Sequence, residues 1–165
     1  MQLNSGDLLI TDIGGVLLKT DEAIVGAIGQ VFDRNKIEKG SRESMLDVFG
    51  VGIWDYIFNY LPGKYVNEER QLMANWLYEE FTHVYPDKVK DKLRVFDGVE
   101  ETLNLLVNKG VQLAVISCMN RYQVEVNLSL LEFENWSDVL AMEDYKRKRP
   151  DPAGLKKIME RVGQP

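Results

Sequence analysis

Two polar side chains stand directly after apolar runs of the sequence. Asp12 follows the run Leu8–Thr11 and lies just before a pair of glycines, and Ser117 ends the apolar run that begins at Gln112. A carboxylate that is ionised near neutral pH can attack an electrophile and form a covalent intermediate, and a hydroxyl can donate a hydrogen bond to an anion. The same residue types also cap turns and helices, so side-chain chemistry alone leaves both interpretations open.

A run of four cations, from Lys146 to Arg149, precedes a turn that contains two prolines. A cation beside the two polar side chains would attract an anionic group. Arginine keeps its charge and can contact two oxygens, whereas lysine acts as a point charge. Lys146, Lys148 and Arg149 are the candidates, and the sequence does not choose among them. Two or more of the four cations are expected to be solvated surface only.

The elements that must position these residues alternate between strands and helices. Apolar runs that are buried on both faces are typical of a parallel sheet covered by helices, and active sites of such sheets lie beyond the carboxyl ends of the strands. We therefore expect an α/β fold that brings Asp12, Ser117 and the cationic run to one edge. The predicted order is a strand at Leu8–Thr11, a helix at Val99–Asn108, a strand at Gln112–Ser117, a helix at Tyr122–Leu131, a strand at Asp138–Met142 and a helix at Ala153–Val162.

The segment between the first two of these elements has helical spacing from Asp21 to about Leu93. Breaks at Gly40-Ser41, Gly50, Pro62-Gly63 and Pro86 divide it into about four predicted helices. Two apolar stripes are expected to pack this insertion. They are Ile24, Val25, Ile28, Val31 and Phe32 in the first helix, and Leu72, Trp76, Leu77, Glu80 and Phe81 in the last.

Composition narrows the class of protein. With 165 residues of which 45% are hydrophobic, the chain can bury a core as one domain with a smaller inserted subdomain. A formal net charge of −6 argues against nucleic acid as a partner. A single cysteine and the lack of a signal-like start predict a reducing, cytoplasmic compartment. Charged residues interrupt every apolar run before it could cross a membrane.

The segment Leu9–Leu17 resembles the first motif of the haloacid dehalogenase superfamily, Asp-x-Asp-Gly-[Thr/Val]-Leu after a buried strand. Gly15, Val16 and Leu17 match that motif. The resemblance continues in order along nearly the whole chain. It includes a cap-sized helical insertion, Phe96-Asp97-Gly98-Val99 before a helix, Ser117 at the end of an apolar strand, and Arg149-Pro150-Asp151-Pro152, which is similar to the family's Lys-Pro-x-Pro motif.

The resemblance implies a Rossmann-like, three-layer α/β core at residues 1–19 and 95–165, and a helical cap of the C1 type at residues 20–94. It also implies that the chain is a phosphatase acting on a small phosphorylated metabolite. By the matching positions of the family's motifs, Asp12 would form an aspartyl-phosphate, Ser117 would hydrogen-bond the phosphoryl group, and Arg149 or Lys148 would neutralise that group.

The resemblance further implies that Gly15, Cys118 and Asn120 lie at the substrate. The thiol of Cys118 is nevertheless expected to be a small buried filler rather than a nucleophile, because no histidine lies nearby in the motif pattern. Gly14 occupies the position of a second aspartate, which in the family protonates the leaving oxygen and activates water. The loss of a general acid and base costs roughly 10² to 10⁴ in rate.

Mg²⁺ is the cofactor that the resemblance implies, with Asp12 and the carbonyl of Gly14 as ligands. A further strand and an acidic fourth motif, which the family places after the third motif, are missing from the sequence. Mg²⁺ binding is therefore expected to be weak. The Leu8–Thr11 strand is also expected to have an unpaired edge. Either a partner such as a second copy covers that edge, or the sequence is part of a longer protein.

Three alternatives to a phosphatase stay open. Phosphonate-cleaving members of the family carry a small residue at the position of Gly14 and use a cap lysine, for which Lys36, Lys39 and Lys64 are the candidates. Dehalogenating members need neither the second aspartate nor a metal. A catalytically impaired pseudoenzyme that binds a ligand or partner would also fit, because the acid/base residue and the metal motif are both missing.

Overall fold

A computed structural model describes residues 3–48, 52–146 and 150–164 of the chain. It divides into two compact units, here called the α/β unit (residues 1–19 and 94–165) and the helical unit (residues 20–93). The strands are β1 (Leu8–Thr11), β2 (Leu18–Lys19), β3 (Arg94–Val95), β4 (Gln112–Ile116) and β5 (Asp138–Leu140). The described helices are α1 (Asp21–Arg34), α2 (Arg42–Leu46), α3 (Ile53–Tyr60), α4 (Asn67–Lys92), α5 (Val99–Asn108), α6 (Arg121–Leu128) and α7 (Ala153–Arg161), with a 3-10 turn at Met142–Asp144.

The α/β unit is built on a parallel sheet in the order β1-β4-β5. Thr11 pairs with Val115, and Ile116 pairs with Leu140, so the carboxyl ends of all three strands reach one edge. The predicted parallel α/β fold is thereby confirmed. β1 is half-buried rather than fully buried, because among the described residues it has a strand neighbour on one side only. A short antiparallel pair of β2 and β3 completes the unit.

The core of the α/β unit lies between the sheet and α7. Ile116 and Leu140 of the sheet pack with Tyr145 and with Ile158 of α7, all of them buried. Gly154 allows this close approach, since a Cβ there would lie 2.4 Å from Cδ1 of Ile116. Burial of this apolar surface, at about 25 cal/mol per Å², is what holds α7 on the sheet.

Most predicted elements of the α/β unit are confirmed, with shorter ends. The helix α5 has its predicted bounds and is followed by Gly110 in the left-handed conformation, with φ of 79°. β5 ends at Leu140 rather than at Met142, because the backbone then turns. That turn is held by the carboxylate of Asp144, which accepts a hydrogen bond of 2.7 Å from the amide of Ala141.

The helical unit is organised by α1 and α4, which pack against each other. Ile24, Ile28, Val31 and Phe32 bury the inner face of α1, as predicted. On α4 the buried stripe is formed by Ala74, Leu77, Phe81, Val84 and Tyr85. The prediction was wrong for Leu72 and Trp76, which are 68% and 46% exposed, since they lie out of phase with that stripe.

The predicted break at Pro86 is also wrong, because α4 continues through it to Lys92. A proline inside a helix removes one backbone hydrogen bond and crowds the preceding turn. Burial of Val84, Tyr85 and Val89 on either side of the proline offsets that cost. None of the described helices is long and apolar enough to cross a membrane. The predicted break at Gly50 lies outside the described residues.

The segment between α3 and α4 is organised around one guanidinium group. Arg70 donates to the carbonyl oxygens of Phe58 at 2.9 Å, Leu61 at 2.7 Å and Tyr65 at 3.0 Å, and it lies 5.3 Å from the centre of the Phe58 ring. A guanidinium carries five N–H donors in a fixed plane, so it can satisfy several carbonyls that a turn leaves without helix partners.

We expect Arg70→Lys to lower the free energy of unfolding by about 2–4 kcal/mol, because lysine cannot reach these carbonyls together and leaves some of them unsatisfied. Urea denaturation followed by circular dichroism measures the change. Arg42→Lys is the matched control, since Arg42 pairs with Glu22 and Asp21 at the surface, where solvent screens the ion pairs, and its loss should be much smaller. Equal losses in the two variants would contradict this role for Arg70.

A second prediction for the helical unit concerns alkaline pH. Burial raises the pKa of the Tyr56 hydroxyl above its usual value of 10.0. The unfolded chain therefore loses this proton first, and the stability that the protonated group contributes is present below pH 10 and is lost as the pH rises through the folded pKa. Tyr56→Phe should reduce the fall in the urea midpoint between pH 8 and pH 11. An unchanged fall would show that Tyr56 does not cause it.

Candidate active site at the sheet edge

Asp12 is the first residue beyond the carboxyl end of β1. Its carboxylate Oδ1 accepts a hydrogen bond of 2.7 Å from the amide of Ile13, and the hydroxyl of Thr11 donates to the Asp12 carbonyl at 3.0 Å. The residue is half-buried. Local backbone contacts thus hold the carboxylate at the end of the strand, which is where the sequence predicts a nucleophile.

A tight turn follows Asp12 and contains the other residues of the first motif. The carbonyl of Ile13 accepts from the amides of Leu17 at 2.9 Å and Leu18 at 3.1 Å. Gly15 takes a left-handed conformation, with φ of 73°, which favours glycine at this position. Gly14 forms an isolated bridge with Leu18. The position two residues after Asp12 is therefore part of an ordered turn.

Ser117 lies beyond the carboxyl end of the neighbouring strand, β4. Its side chain is buried, with 1% exposed, and its Oγ accepts a hydrogen bond of 3.2 Å from the amide of Met119. Since that bond uses an acceptor position, the hydroxyl hydrogen stays available as a donor. β1 and β4 are paired in parallel, so Asp12 and Ser117 both follow strand ends at the same edge of the sheet.

The two residues after Ser117 that the sequence singles out have different environments. Cys118 is exposed, so the expectation of a buried filler is wrong. The reason is that β4 has already ended, and the thiol stands on the loop beyond it. Asn120 caps α6: its Oδ1 accepts from the amide of Gln123 at 2.8 Å, and Gln123 accepts from the amide of Asn120 at 3.1 Å.

The cationic run is described in part. Lys148 and Arg149, the two predicted phosphate-neutralising residues, lie outside the described residues. Lys146 is exposed and directly follows Tyr145, whose hydroxyl donates to the Ser117 carbonyl at 2.9 Å. The run therefore begins one residue away from a direct contact with the predicted serine.

Two further lysines, Lys156 and Lys157 of α7, line an open cavity with Lys146 and with the acidic residues Asp144 and Asp151. Sequence reasoning missed these two lysines. They lie beyond the proline-containing turn, in a stretch that reads only as a helix. Their positions, one turn into α7, bring them to the cavity that Lys146 also lines.

Side chains that could bind a metal are not clustered in the described part of the chain. Within residues 3–48, 52–146 and 150–164, no group of three or more histidine, cysteine or acidic side chains is arranged to hold a metal ion. The carboxylate of Asp12 and the carbonyl of Gly14 fit Mg²⁺ in kind, since Mg²⁺ prefers oxygen ligands. Two donors leave most of an octahedral shell to water and to substrate oxygens.

Comparisons with known proteins bear on the fold and the family of the chain. A pyrophosphatase named PpaX from Halalkalibacterium halodurans is 26% identical over 164 residues, which cover 99% of this chain and 71% of that protein. The fold matches a haloacid dehalogenase-like hydrolase from Bacteroides fragilis, with a TM-score of 0.82, 18% identity and coverage of 96% of this chain and 73% of that one. CbbY from Rhodobacter sphaeroides, solved with phosphate, matches with a TM-score of 0.81, 16% identity and coverage of 96% and 73%.

The sequence model of haloacid dehalogenase-like hydrolases matches residues 9–164, nearly the whole chain. The match begins within β1, before Asp12, and it continues past α7. It therefore covers the predicted nucleophile, the buried serine, the cationic run and the helical unit together. The chain belongs to the family of haloacid dehalogenase-like hydrolases.

Proposed function

We propose that this chain is a phosphatase that removes phosphate from a small phosphorylated metabolite through an aspartyl-phosphate on Asp12. The observation that carries the proposal is the position of Asp12 beyond the end of β1, beside a parallel strand that is followed by a buried serine. A family relative named as a pyrophosphatase supports a phosphorylated substrate. The helical unit is proposed to act as the cap that selects this substrate.

The proposed reaction has two displacements. In the first, an oxygen of the Asp12 carboxylate forms a bond to phosphorus, and the bond between phosphorus and the leaving oxygen breaks, with the electron pair departing on that oxygen. In the second, a water oxygen attacks the same phosphorus, the bond to Asp12 breaks, and the water proton passes to solvent. Ser117 would donate a hydrogen bond to the phosphoryl group, and Lys146, Lys148 or Arg149 would balance its charge.

Gly14 should make the second of these two steps slower than the first. It has no side chain to protonate the leaving oxygen or to take a proton from water. An aryl leaving group departs as a stable anion and needs little protonation, so the first step should be fast for an aryl phosphate. The second step has no such help, and the aspartyl-phosphate should therefore accumulate.

A burst experiment tests the proposal. Mixing the chain with p-nitrophenyl phosphate and Mg²⁺ should release one equivalent of nitrophenol per chain rapidly, followed by slow turnover. When the phosphorus of p-nitrophenyl phosphate is labelled, acid quenching during the burst should trap the label on Asp12. A chain that binds phosphate but shows neither burst nor label would instead be a binding protein, which is the pseudoenzyme alternative that Gly14 favours.

A Schiff-base mechanism finds no support in the helical unit. A lysine that forms an imine must be unprotonated, which usually requires removal from water or a neighbouring cation. Lys36, Lys39 and Lys64 are all exposed, and Lys39 pairs with the carboxylate of Asp33 at 2.7 Å. Borohydride in the presence of a phosphonate aldehyde should therefore leave these lysines unmodified. Halide release without metal would identify a dehalogenase instead.

Mg²⁺ is proposed as the cofactor, held by Asp12 and the Gly14 carbonyl together with oxygens of the substrate. When bound, it would neutralise charge on the phosphoryl oxygens. Because the described residues supply so few donors, we expect Mg²⁺ alone to change the melting temperature little. Mg²⁺ with inorganic phosphate should raise it by several degrees, more than the two separate shifts combined.

Thermal unfolding with each ligand alone and with both measures this dependence. Asp12→Asn should abolish the additional rise in melting temperature that Mg²⁺ and phosphate cause together. The melting temperature without ligands should stay that of the unmodified chain. A saturable effect of Mg²⁺ in the absence of phosphate would contradict the shared site.

We also propose that the protein acts in the cytoplasm, which the single, exposed Cys118 supports, since a reducing compartment preserves such a thiol. β1 has one strand neighbour among the described residues. Its other edge is proposed to pair with a second copy of the chain. Light scattering over a range of protein concentrations tests this association, and a monomer at all of them would count against it.

A further inference from the structure

A set of hydrogen bonds joins the loop after β4 to the segment after β5. The amide of Ser117 donates to the Leu140 carbonyl at 2.9 Å, and the amide of Met142 donates to the Met119 carbonyl at 2.9 Å. These backbone contacts continue the pairing of the two strands past their ends. The loop that contains Ser117 is thus held by the segment that leads into the cationic run.

Arg121, at the start of α6, adds a charged clamp to the same pair of segments. Its amide donates to both carboxylate oxygens of Glu143, at 3.0 and 3.1 Å, and its guanidinium donates to the carboxylate of Asp144 and, at 3.2 Å, to the Val139 carbonyl. Charged partners strengthen hydrogen bonds of this kind. These hydrogen bonds therefore hold the end of the Ser117 loop, where α6 begins, against the segment after β5.

Tyr145 adds a further hydrogen bond between these two segments, at Ser117. Its hydroxyl donates to the Ser117 carbonyl at 2.9 Å and lies 3.9 Å from the sulfur of Cys118. Its ring is buried and packs with Ile116. At Gly154 a Cβ would lie only 3.4 Å from Cγ of this ring, so α7 closely confines it.

We propose that Tyr145 is a positioning residue for phosphoryl transfer, which holds Ser117 in register with the first residue of the cationic run. The inference rests on the proposed function. Tyr145 precedes Lys146 directly, so its hydroxyl bond sets the separation between two of the elements that receive the phosphoryl group. Its phenol does not touch the substrate. It acts through the backbone of Ser117.

Tyr145→Phe removes the hydroxyl and keeps the ring that packs the core. We expect kcat for p-nitrophenyl phosphate to fall about three- to tenfold, as the loss of one hydrogen bond allows, with a smaller change in KM. Tyr122→Phe is the matched control. It removes the same hydroxyl group from a tyrosine of α6 that is exposed and lies outside the proposed site. That control should keep the kcat of the unmodified chain.

A double-mutant cycle with Ser117→Ala separates positioning from a general loss of structure. If Tyr145 acts through the Ser117 hydroxyl, the double variant should be no slower than Ser117→Ala alone. Additive losses would overturn the proposal, and so would a Tyr145→Phe variant with unchanged kcat. A merely structural defect would lower the folded fraction in both backgrounds and would give additive losses.

A second readout does not depend on turnover. Cys118 is the single cysteine and stands next to Ser117, so the rate of its reaction with a thiol reagent reports on this loop. Inorganic phosphate should slow that reaction in the unmodified chain, and Tyr145→Phe should need about three- to tenfold more phosphate for the same protection.

Equal protection curves for the unmodified chain and Tyr145→Phe would overturn the positioning role, and so would an unmodified chain that phosphate does not protect. A third outcome is a protection curve that is shifted in Tyr145→Phe while the unmodified chain shows no burst. That outcome would support the role of Tyr145 in phosphate binding. It would reject the phosphatase itself, so the two failures are distinguishable.

Discussion

Asp12→Asn is expected to reduce phosphate release by roughly 10⁴-fold or more and to remove the burst of nitrophenol, since loss of a catalytic nucleophile has effects of this size. An amide oxygen is a far weaker nucleophile than a carboxylate, and the variant cannot form the acyl phosphate. The side chain keeps its shape, and its Oδ1 can still accept from the amide of Ile13, as the carboxylate does at 2.7 Å. The fold should therefore persist while the chemistry stops.

Asp7→Asn is the matched control for this loss. Asp7 lies just before β1, at the opposite end of the same strand, and its carboxylate accepts a hydrogen bond of 2.8 Å from the amide of Asn4. The two variants lose the same charge from the two ends of one strand. Asp7→Asn should retain turnover, whereas Asp12→Asn should lose it. If both variants retain the burst, Asp12 is not the nucleophile, and the phosphatase proposal fails with it.

Gly14→Asp is expected to raise steady-state turnover by roughly 10²- to 10⁴-fold, the range that general acid and base catalysis supplies. The new carboxyl group would stand two residues beyond Asp12, within the ordered turn that pairs Gly14 with Leu18. It would activate water in the second displacement, so the aspartyl-phosphate should no longer accumulate. The burst should merge into a faster linear phase.

Gly14→Asn separates this chemistry from the change in shape. Asparagine has almost the same size as aspartate but cannot exchange a proton near neutral pH, so its turnover should stay at the level of the unmodified chain. Stopped-flow release of nitrophenol, recorded for the three chains side by side, measures both the burst and the linear rate. A gain with asparagine equal to that with aspartate would mean that the turn, rather than a proton, limits the reaction.

The sheet was predictable because its signals are local. Each central strand is a short apolar run bounded by turn residues, and parallel strands bring their carboxyl ends together whatever the connections between them. These local signals therefore suffice to predict that Asp12 and Ser117 lie at one edge. The prediction that Gly14 stands in place of an acid came instead from the resemblance to the family's first motif.

The errors arose where tertiary packing outweighs local preference. Pro86 is a helix breaker by type, yet the buried neighbours Tyr85 and Val89 keep α4 continuous. Cys118 follows apolar positions, as a core residue would, but β4 ends at Ile116, two residues earlier, and the thiol is exposed on the loop beyond it. Tyr145 could not be assigned at all, since its contact with Ser117 spans 28 positions in the chain.

The close approach of α7 to the sheet has a genetic consequence. Gly154 is not among the predicted site residues, yet even alanine there would place a methyl carbon 2.4 Å from Ile116 and 3.4 Å from the Tyr145 ring. A mutational scan of the gene should therefore find position 154 intolerant, with a profile like that of the residues at the sheet edge. A loss of activity would then trace to a glycine whose part is to let α7 pack against Ile116 and Tyr145, and not to a reacting group.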